Sequence, residues 1–563
     1  MRAILRSPIS VPLAILVWLA ATAGLRPMML PDEGRYVGVA WEMLCSGDWL
    51  TPTLNGLPFF HKPPLFYWIT AGAMSLLGTS EIAMRVAPIL GAALGAYALY
   101  LFTARWVSVR IARTALLILL VQPLYYVGAQ FSNMDMLVAG CITATIALFA
   151  HAALSCDRGL PWRAALAGAY AFAALGVLAK GLIGAVVPAL VVFVWLLVVG
   201  RRRSLALLFW VPGWTVLGLI AAPWFVAMQL QYPGFLDYFI VVQHFKRFAA
   251  GGFNNVQPFW FYPAVLALLT LPWLPWLGRP AACSVGPQTD RGAVGVLLWL
   301  WVGLVVLFFS IPGSKLLGYV LPVVPPLACL IALAVDDRAH WLGRNKGLWK
   351  ASFGVSLAAS VAIVVVLAGM PAPDTRQLGS VLGTTRRAHE PVFMLSEYHY
   401  DLPLSAQLEE PVGVVDDWSD PAILSRDNWR KELADAAAFE PRRAARVLVD
   451  SKALAGVLCE SGVNWIVGSG TDATRYRFLS AASLVLTAGE VKLWRVDTAQ
   501  AGVAAALQCR PNDIDSTVAR DRQPGNREAV PAMPVGMTTS APVSRTSNSS
   551  GGNAFAADSP AIS

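Results

Sequence analysis

Along this chain, long apolar runs alternate with short polar connections, and most of the runs reach the roughly 20 residues that a helix needs to cross a bilayer. They fall at about 8–26, 82–102, 111–130, 134–153, 163–179, 181–199, 204–228, 259–278, 292–311, 316–335 and 351–370. This pattern predicts roughly eleven transmembrane helices. A further apolar stretch at 65–77 is too short to span and predicts an interfacial or re-entrant helix. After Gly369 the period changes. Short apolar strands at 392–395, 412–415, 446–449, 465–467 and 491–496 alternate with helical stretches such as 428–439, predicting a small soluble α/β domain over 371–498. Residues 499–563 are rich in Pro, Ser, Thr, Asn and Gly and read as a disordered tail.

Composition agrees with a lipid-solvated chain. Of the 563 residues, 56% are hydrophobic and 14% charged, with a mean hydropathy of +0.57; soluble domains carry about a quarter charged residues. A net charge of +9 would suit a nucleic-acid binder, but the basic residues stand singly between apolar runs. Topology explains most of them. Arg2 and Arg6 precede an apolar run, as in a signal peptide, yet the run continues through Leu25 and many more follow, which predicts an uncleaved first helix. With the N-terminus cytoplasmic, one set of connections holds Arg105, Arg110 and Arg113, then Arg158 and Arg163, then Arg201, Arg202 and Arg203, then Arg279 and Arg291, and lastly Arg338, Arg344, Lys346 and Lys350. That basic side is the cytoplasm of a bacterial inner membrane, and the soluble domain is then periplasmic. The outer side has few cations: Arg26, Arg35, Lys62, Lys180, Lys246, Arg247 and Lys315, with Arg85 just inside a helix. Topology does not require them, so they are candidates for binding an anion.

Seven cysteines, at 45, 141, 156, 283, 329, 459 and 509, form no CxxC or zinc-ligand spacing. Cys459 and Cys509 lie in the polar part and could pair in an oxidising compartment, which spacing alone does not establish.

Two outer loops are long, 26–80 and 229–258, and long structured loops tend to carry function. The first reads Pro-Asp-Glu-Gly-Arg-Tyr from Pro31, then Ser-Gly-Asp-Trp from Ser46, then His-Lys-Pro-Pro from His61. Asp32 and Glu33 begin an amphipathic segment, where acids also simply stabilise a helix N-terminus. Lys62, fixed by Pro63 and Pro64, suits a point-charge clamp on a phosphate, or else snorkels to the interface. Asp135 opens a membrane helix, as a cap or as a charge facing a water-filled cavity. Lys180 and Lys315 sit at outer turns. Six charged groups (Asp32, Glu33, Lys62, Asp135, Lys180 and Lys315) thus share one leaflet boundary, and snorkelling explains the lysines but not the acids. The second loop carries Gln-His-Phe-Lys-Arg-Phe from Gln243, which suits an amphipathic helix in the headgroup layer. His244 and His61 together could bind a metal, although two histidines alone specify nothing.

These motifs, with Leu-Ala-Lys-Gly-Leu from Leu178, Pro-Phe-Trp-Phe-Tyr from Pro258 and Gly-Ser-Lys from Gly313, occur in the order found in the lipid A aminoarabinose transferases. The chain resembles that family, within the superfamily that includes protein O-mannosyltransferases. The resemblance implies a GT-C type polytopic α-helical membrane protein and an undecaprenyl-phosphate sugar donor. Asp32, Asp135 and Glu33 are then the catalytic candidates, and Lys62, Arg35, Lys180, Lys315 and Arg247 the donor-phosphate candidates. It also implies 4-amino-4-deoxy-L-arabinose as the sugar and a lipid A phosphate as the acceptor. A protein or polysaccharide hydroxyl acceptor is the alternative, and a lipid or sugar transporter a more distant one. Two features depart from the aminoarabinose branch: His61 replaces an acidic residue before Lys-Pro, and two membrane helices are missing before the soluble domain. If the family's metal is retained, His61 and His244 are its expected ligands, and imidazole favours zinc. No P-loop or Rossmann fingerprint is present, as befits a donor without a nucleotide.

Overall fold

The computed structural model describes residues 10–246, 255–277, 289–337, 346–370, 374–425 and 428–509. Arg247, Arg279, Arg338, Arg344, Cys283, the tail beyond 509 and the side chain of His244 lie outside the described residues.

Each of the eleven predicted spans falls on helix. Among the described residues, seven are long and apolar enough to cross a membrane: Ala83–Trp106, Met134–Asp157, Arg163–Lys180, Arg202–Gln231, Asp290–Ser310, Leu317–Asp336 and Lys346–Ala368. In chain order the first ten helices are α1 (Ser10–Ala20), α2 (Asp32–Ser46), α3 (Leu65–Leu77), α4 (Val86–Trp106), α5 (Val109–Leu120), α6 (Pro123–Gly128), α7 (Met134–Asp157), α8 (Arg163–Lys180), α9 (Ile183–Val198) and α10 (Val211–Gln231). The remaining predicted spans are short or broken, for a reason visible in sequence. Gln122-Pro123 splits α5 from α6, because proline cannot continue the hydrogen-bond ladder. In lipid the freed groups need partners. Ser356 and Ser360, one turn apart on Lys346–Ala368, donate to the Val121 carbonyl at 3.0 and 2.8 Å, and Gln122 donates to Thr270 at 2.9 Å. Trp273 and Trp276, in the segment broken by Pro272 and Pro275, donate to Ser356 and Ser352.

Small residues bring the central helices close. A Cβ on Gly140 of α7 would lie 2.0 Å from the Gly91 carbonyl of α4, so these backbones touch where any side chain would part them. The 24 residues of α7 are buried along nearly their whole length, making it the hub of the bundle.

Outside the bundle, α2 and α3 flank a hairpin, β1 (Thr53–Leu54) and β2 (Leu57–Pro58), turned by Asn55-Gly56 with both φ positive (52° and 70°). The C-terminal domain is a six-stranded sheet. Its strands are β3 (Val392–Leu395), β4 (Gly413–Asp416), β5 (Leu448–Asp450), β6 (Val463–Ser469), β7 (Ser483–Ala488) and β8 (Val491–Asp497), in the order β5-β4-β3-β6-β8-β7. The first four are parallel and β8 and β7 antiparallel. The ordered chain continues past 498: a helix, Ala501–Leu507, buries Val503 and Leu507 in this domain, and Cys509 is disulfide-bonded to Cys459.

The soluble domain is seated on the first outer loop. Asn55 exchanges hydrogen bonds with the backbone of Val412 (2.9 and 2.8 Å), and the Trp41 indole donates to the Leu408 carbonyl at 2.9 Å. That seating brings the helix Trp429–Ala437 over the loop's charged residues.

Candidate active site

The site begins at the first turn of α2. Asp32 and Glu33 are neighbours in sequence, yet the helix turns them to opposite fates. Glu33 is fully buried. It accepts from Arg26 at 2.5 and 2.9 Å and from the backbone amides of Met29 and Ser132 at 2.7 Å each, with Arg85 at 3.5 Å. Burial alone would raise its pKa, but the Arg26 hydrogen bonds, the two guanidinium charges and the Ser132 amide hold it below the ordinary carboxylate value. Both oxygens are committed, and no face is open to a substrate. The expectation of a catalytic Glu33 is therefore corrected: it is the pin that fixes the start of α2 to the loops at 26 and 132.

Asp32, by contrast, is half exposed and borders a narrow pocket. Arg35, one turn on, lies 3.7 Å from it and forms an ion pair at 3.1 Å with Glu432. Arg35 also faces the Tyr400 ring at 5.2 Å, and the Tyr400 hydroxyl donates to Glu432 at 2.7 Å. Burial opposes the charge on Arg35, but Glu432 and Asp32 together keep it firmly protonated.

Asp135 enters the same pocket from the start of α7. It is not the cap: Asn133 caps this helix, its side chain accepting from the Asp135 amide at 2.9 Å. The carboxylate instead pairs with Lys180 at the end of α8. Lys180 lies 4.3 Å from the centre of the Tyr319 ring, a cation–π contact. Lys62 and His61 close the pocket from the turn before α3. His61 is stacked on Phe59, with centroids 4.6 Å apart.

The structure thus gathers Asp32, Arg35, His61, Lys62, Asp135 and Lys180 around one pocket. Lys315 is not among them. Its ammonium donates to the carbonyls of Pro312 (2.6 Å), Gln257 (2.9 Å) and Gly313 (3.4 Å), stapling the second outer loop to the strap before Leu317–Val323. Its donors are held by backbone carbonyls, and it does not line this pocket. Arg247 falls outside the described residues. Two contributors escaped the sequence reading. Glu432 comes from the soluble domain, where it occupies a core position of its helix between Trp429 and Leu433, and a glutamate on an apolar stripe was the available signal. Gly318 is the other: a Cβ there would sit 2.0 Å from an Asp135 carboxylate oxygen, so only glycine leaves room for that carboxylate.

A larger cavity of about 460 Å³ lies between α7, α8, α9 and α10, but no charged side chain lines it and it offers no chemistry. The described donors around His61 do not complete a metal site, and the His244 side chain lies outside the described residues. Glu432 is engaged by Arg35 and Tyr400, and among the described residues no three of His, Cys, Asp and Glu gather.

Known proteins match the part of the chain that carries the pocket. Residues 23–239, which hold most of the pocket, match the family model for dolichyl-phosphate-mannose-protein mannosyltransferase. The chain is 36% identical over 362 residues to an undecaprenyl phosphate-alpha-4-amino-4-deoxy-L-arabinose arabinosyl transferase of Sodalis glossinidius, covering 63% of this chain and 62% of the relative. A protein of the same name from Aeromonas salmonicida is 36% identical over 335 residues, covering 58% and 60%. The chain therefore spans about 60% of the length of these curated relatives. In fold it is similar to ArnT from Cupriavidus metallidurans bound to undecaprenyl phosphate, with a TM-score of 0.72 at 22% identity over 86% of this chain and 97% of that one. The archaeal oligosaccharyltransferase AglB from Archaeoglobus fulgidus is more distant, with a TM-score of 0.51 at 14% identity over 83% and 70%. The GT-C membrane fold and the resemblance carried by the ordered motifs are both borne out.

Proposed function

We propose that this chain, similar to the arabinosyl transferases in sequence and folded as they are, is a glycosyltransferase of the bacterial inner membrane. It moves 4-amino-4-deoxy-L-arabinose from undecaprenyl phosphate to a lipid A phosphate on the periplasmic face. One observation carries this reading. Two carboxylates, Asp32 and Asp135, and three cations, Arg35, Lys62 and Lys180, line a single pocket where α7 begins and α8 ends. The basic connections lie at the opposite ends of those helices, which supports a cytoplasmic N-terminus and a periplasmic pocket.

The chemistry needs both charges. Breaking a glycosyl phosphate builds positive charge on the sugar ring, which carboxylates beside the anomeric carbon stabilise. Negative charge meanwhile grows on the departing phosphate, and Lys62 with Arg35 would bind it more tightly in the transition state than in the ground state. Lys180, paired with Asp135, sets the orientation of that carboxylate. A phosphate monoester has a second pKa of about 6 and is already largely ionised, so it needs no general base. Asp32, half exposed, then holds the sugar's ammonium or stabilises ring charge.

The match to protein mannosyltransferases favours a second reading, transfer to a hydroxyl, in which Asp32 must act as the base. The chain reconstituted with carrier-linked aminoarabinose separates the two. Asp32→Asn should cost less, and change the pH profile less, with a phosphate acceptor than with a hydroxyl acceptor. Equal losses and identical profiles would remove the phosphate reading. A zinc held by His61 and His244 is a separate proposal through which no step is routed. Metal analysis of the purified chain tests it, one zinc per chain being expected and its loss in His61→Ala.

A further inference from the structure

Between the first outer loop and the soluble domain lies a second polar cavity of about 200 Å³. It shares no lining residue with the first. The membrane side contributes Thr79 and Glu81, and the soluble domain contributes Arg376, Asp401, Ser405 and Gln407. Most of these anchor elements of the fold, but Asp401 is not accounted for that way. It is 2% exposed. Its Oδ2 accepts from the Thr375 hydroxyl at 2.7 Å, while the equally buried Oδ1 receives no hydrogen bond from the chain. Burial raises the Asp401 carboxyl above its ordinary range, with the Thr375 bond pulling the other way. A buried acceptor without a donor is rare in folded proteins and calls for an explanation such as a bound group.

The other lining groups narrow what that group can be. An anion would face both Glu81 and Asp401. A cation would face Arg376, which donates to Glu81 at 3.0 Å. Hydroxyl groups both donate and accept, so a neutral polyol satisfies carboxylate, guanidinium, amide and hydroxyl alike. At about 200 Å³ the cavity is large enough to admit one sugar ring. Beside Thr79 and Glu81 the chain exposes Leu76 (84%), Leu77 (57%) and Ile82 (44%), an apolar lip on the same loop.

We propose that this cavity is a carbohydrate site that takes the single-ring sugar head of an outer-leaflet amphiphile, with Asp401 and Glu81 accepting from its hydroxyls and the lip meeting its tail. The site does not depend on the transferase reading and is tested by binding alone. The full chain in lipid nanodiscs is titrated with octyl glucoside below its micelle concentration, with free glucose, and with a tail-matched octyl polyoxyethylene. The glucoside should bind saturably and the polyoxyethylene should not. Glucose competing with the glucoside shows that the ring alone suffices, and glucose failing to compete shows that the tail is also needed. Asp401→Leu and Thr79→Trp should each weaken glucoside binding at least tenfold. Thr79 is exposed, so its variant fills the mouth without disturbing the core. Equal binding of the sugarless detergent, no saturable glucoside binding, or unchanged binding in Thr79→Trp would overturn the proposal.

Discussion

Replacing Gly318 by alanine adds one methyl group and should nearly abolish turnover. In the structure that methyl would lie 2.0 Å from an Asp135 carboxylate oxygen, 2.6 Å from its Cγ and 2.8 Å from its Cβ. Non-bonded contact begins near 3.5 Å, so the carboxylate must retreat by roughly 1.5 Å. It has little freedom to do so. Asp135 is buried at the start of α7, held by Asn133 and paired with Lys180, and Lys180 is itself set against Tyr319, the neighbour of Gly318. Misplacing a reacting group by about 1 Å costs roughly 100-fold in rate, which is the loss expected in kcat. Overpacking costs only about 1–3 kcal/mol, so the variant should still fold. Gly313→Ala, on the same strap, is the matched control, because an added Cβ there meets nothing within 4 Å. The assay is release of polyprenyl phosphate by purified variants of equal monodispersity in detergent. A Gly318→Ala enzyme with more than half of native turnover would refute the view that Asp135 works from this position. An equal loss in Gly313→Ala would show that the strap, not the carboxylate, is being read.

The other predictions concern what holds the pocket together. Glu33→Gln should lower stability far more than it lowers activity per folded molecule, because it leaves Arg26 and Arg85 buried without their carboxylate, a change worth about 3–5 kcal/mol. Normal melting with lost turnover would instead return Glu33 to catalysis. The pH dependence follows from the same group. Its folded pKa lies below the ordinary 4.5, so its contribution is fully present above 4.5 and lost as pH falls through the lowered folded value. The melting gap between native and Glu33→Gln should therefore close only in strong acid, and a gap that closes near neutrality contradicts the network. Glu432→Gln should cut activity at least tenfold while the soluble domain stays folded, since it removes the buried partner that orients Arg35; unchanged kinetics would mean that Arg35 is set without it. Cys509→Ser should destabilise the soluble domain by about 2–4 kcal/mol, as expected for a bridge closing a loop of this size. An unaltered protease-resistance profile would contradict that.

Much of this architecture can be read from the chain because lipid enforces it. A run such as 134–153 is long and apolar enough to be a buried helix, so the spans emerge from length and period alone. Aspects that depend on breaks are harder to see: Gln122-Pro123 ends α5 in the middle of an apolar run, and the partners that make that break tolerable, Thr270, Ser356 and Ser360, lie far along the sequence. At the site, sequence brings out the charged residues but not their duties. Asp32 and Glu33 look equivalent until the helix turns one into the pocket and the other onto two arginines. Lys180 and Lys315 look equivalent until one meets a carboxylate and the other three carbonyls. Glu432 is hidden because its partner, Arg35, lies almost 400 residues away in another domain.

The most direct test of the central claim is mass spectrometry of lipid A from a polymyxin-sensitive strain that makes the carrier-linked sugar but lacks its own aminoarabinose transferase. The strain would express this chain or its Lys62→Ala variant. The account predicts lipid A bearing aminoarabinose with the native chain and bare lipid A with the variant at equal membrane expression. Unmodified lipid A with a well-expressed native chain would contradict the assigned donor and acceptor, and modification surviving in Lys62→Ala would contradict the phosphate-binding pocket.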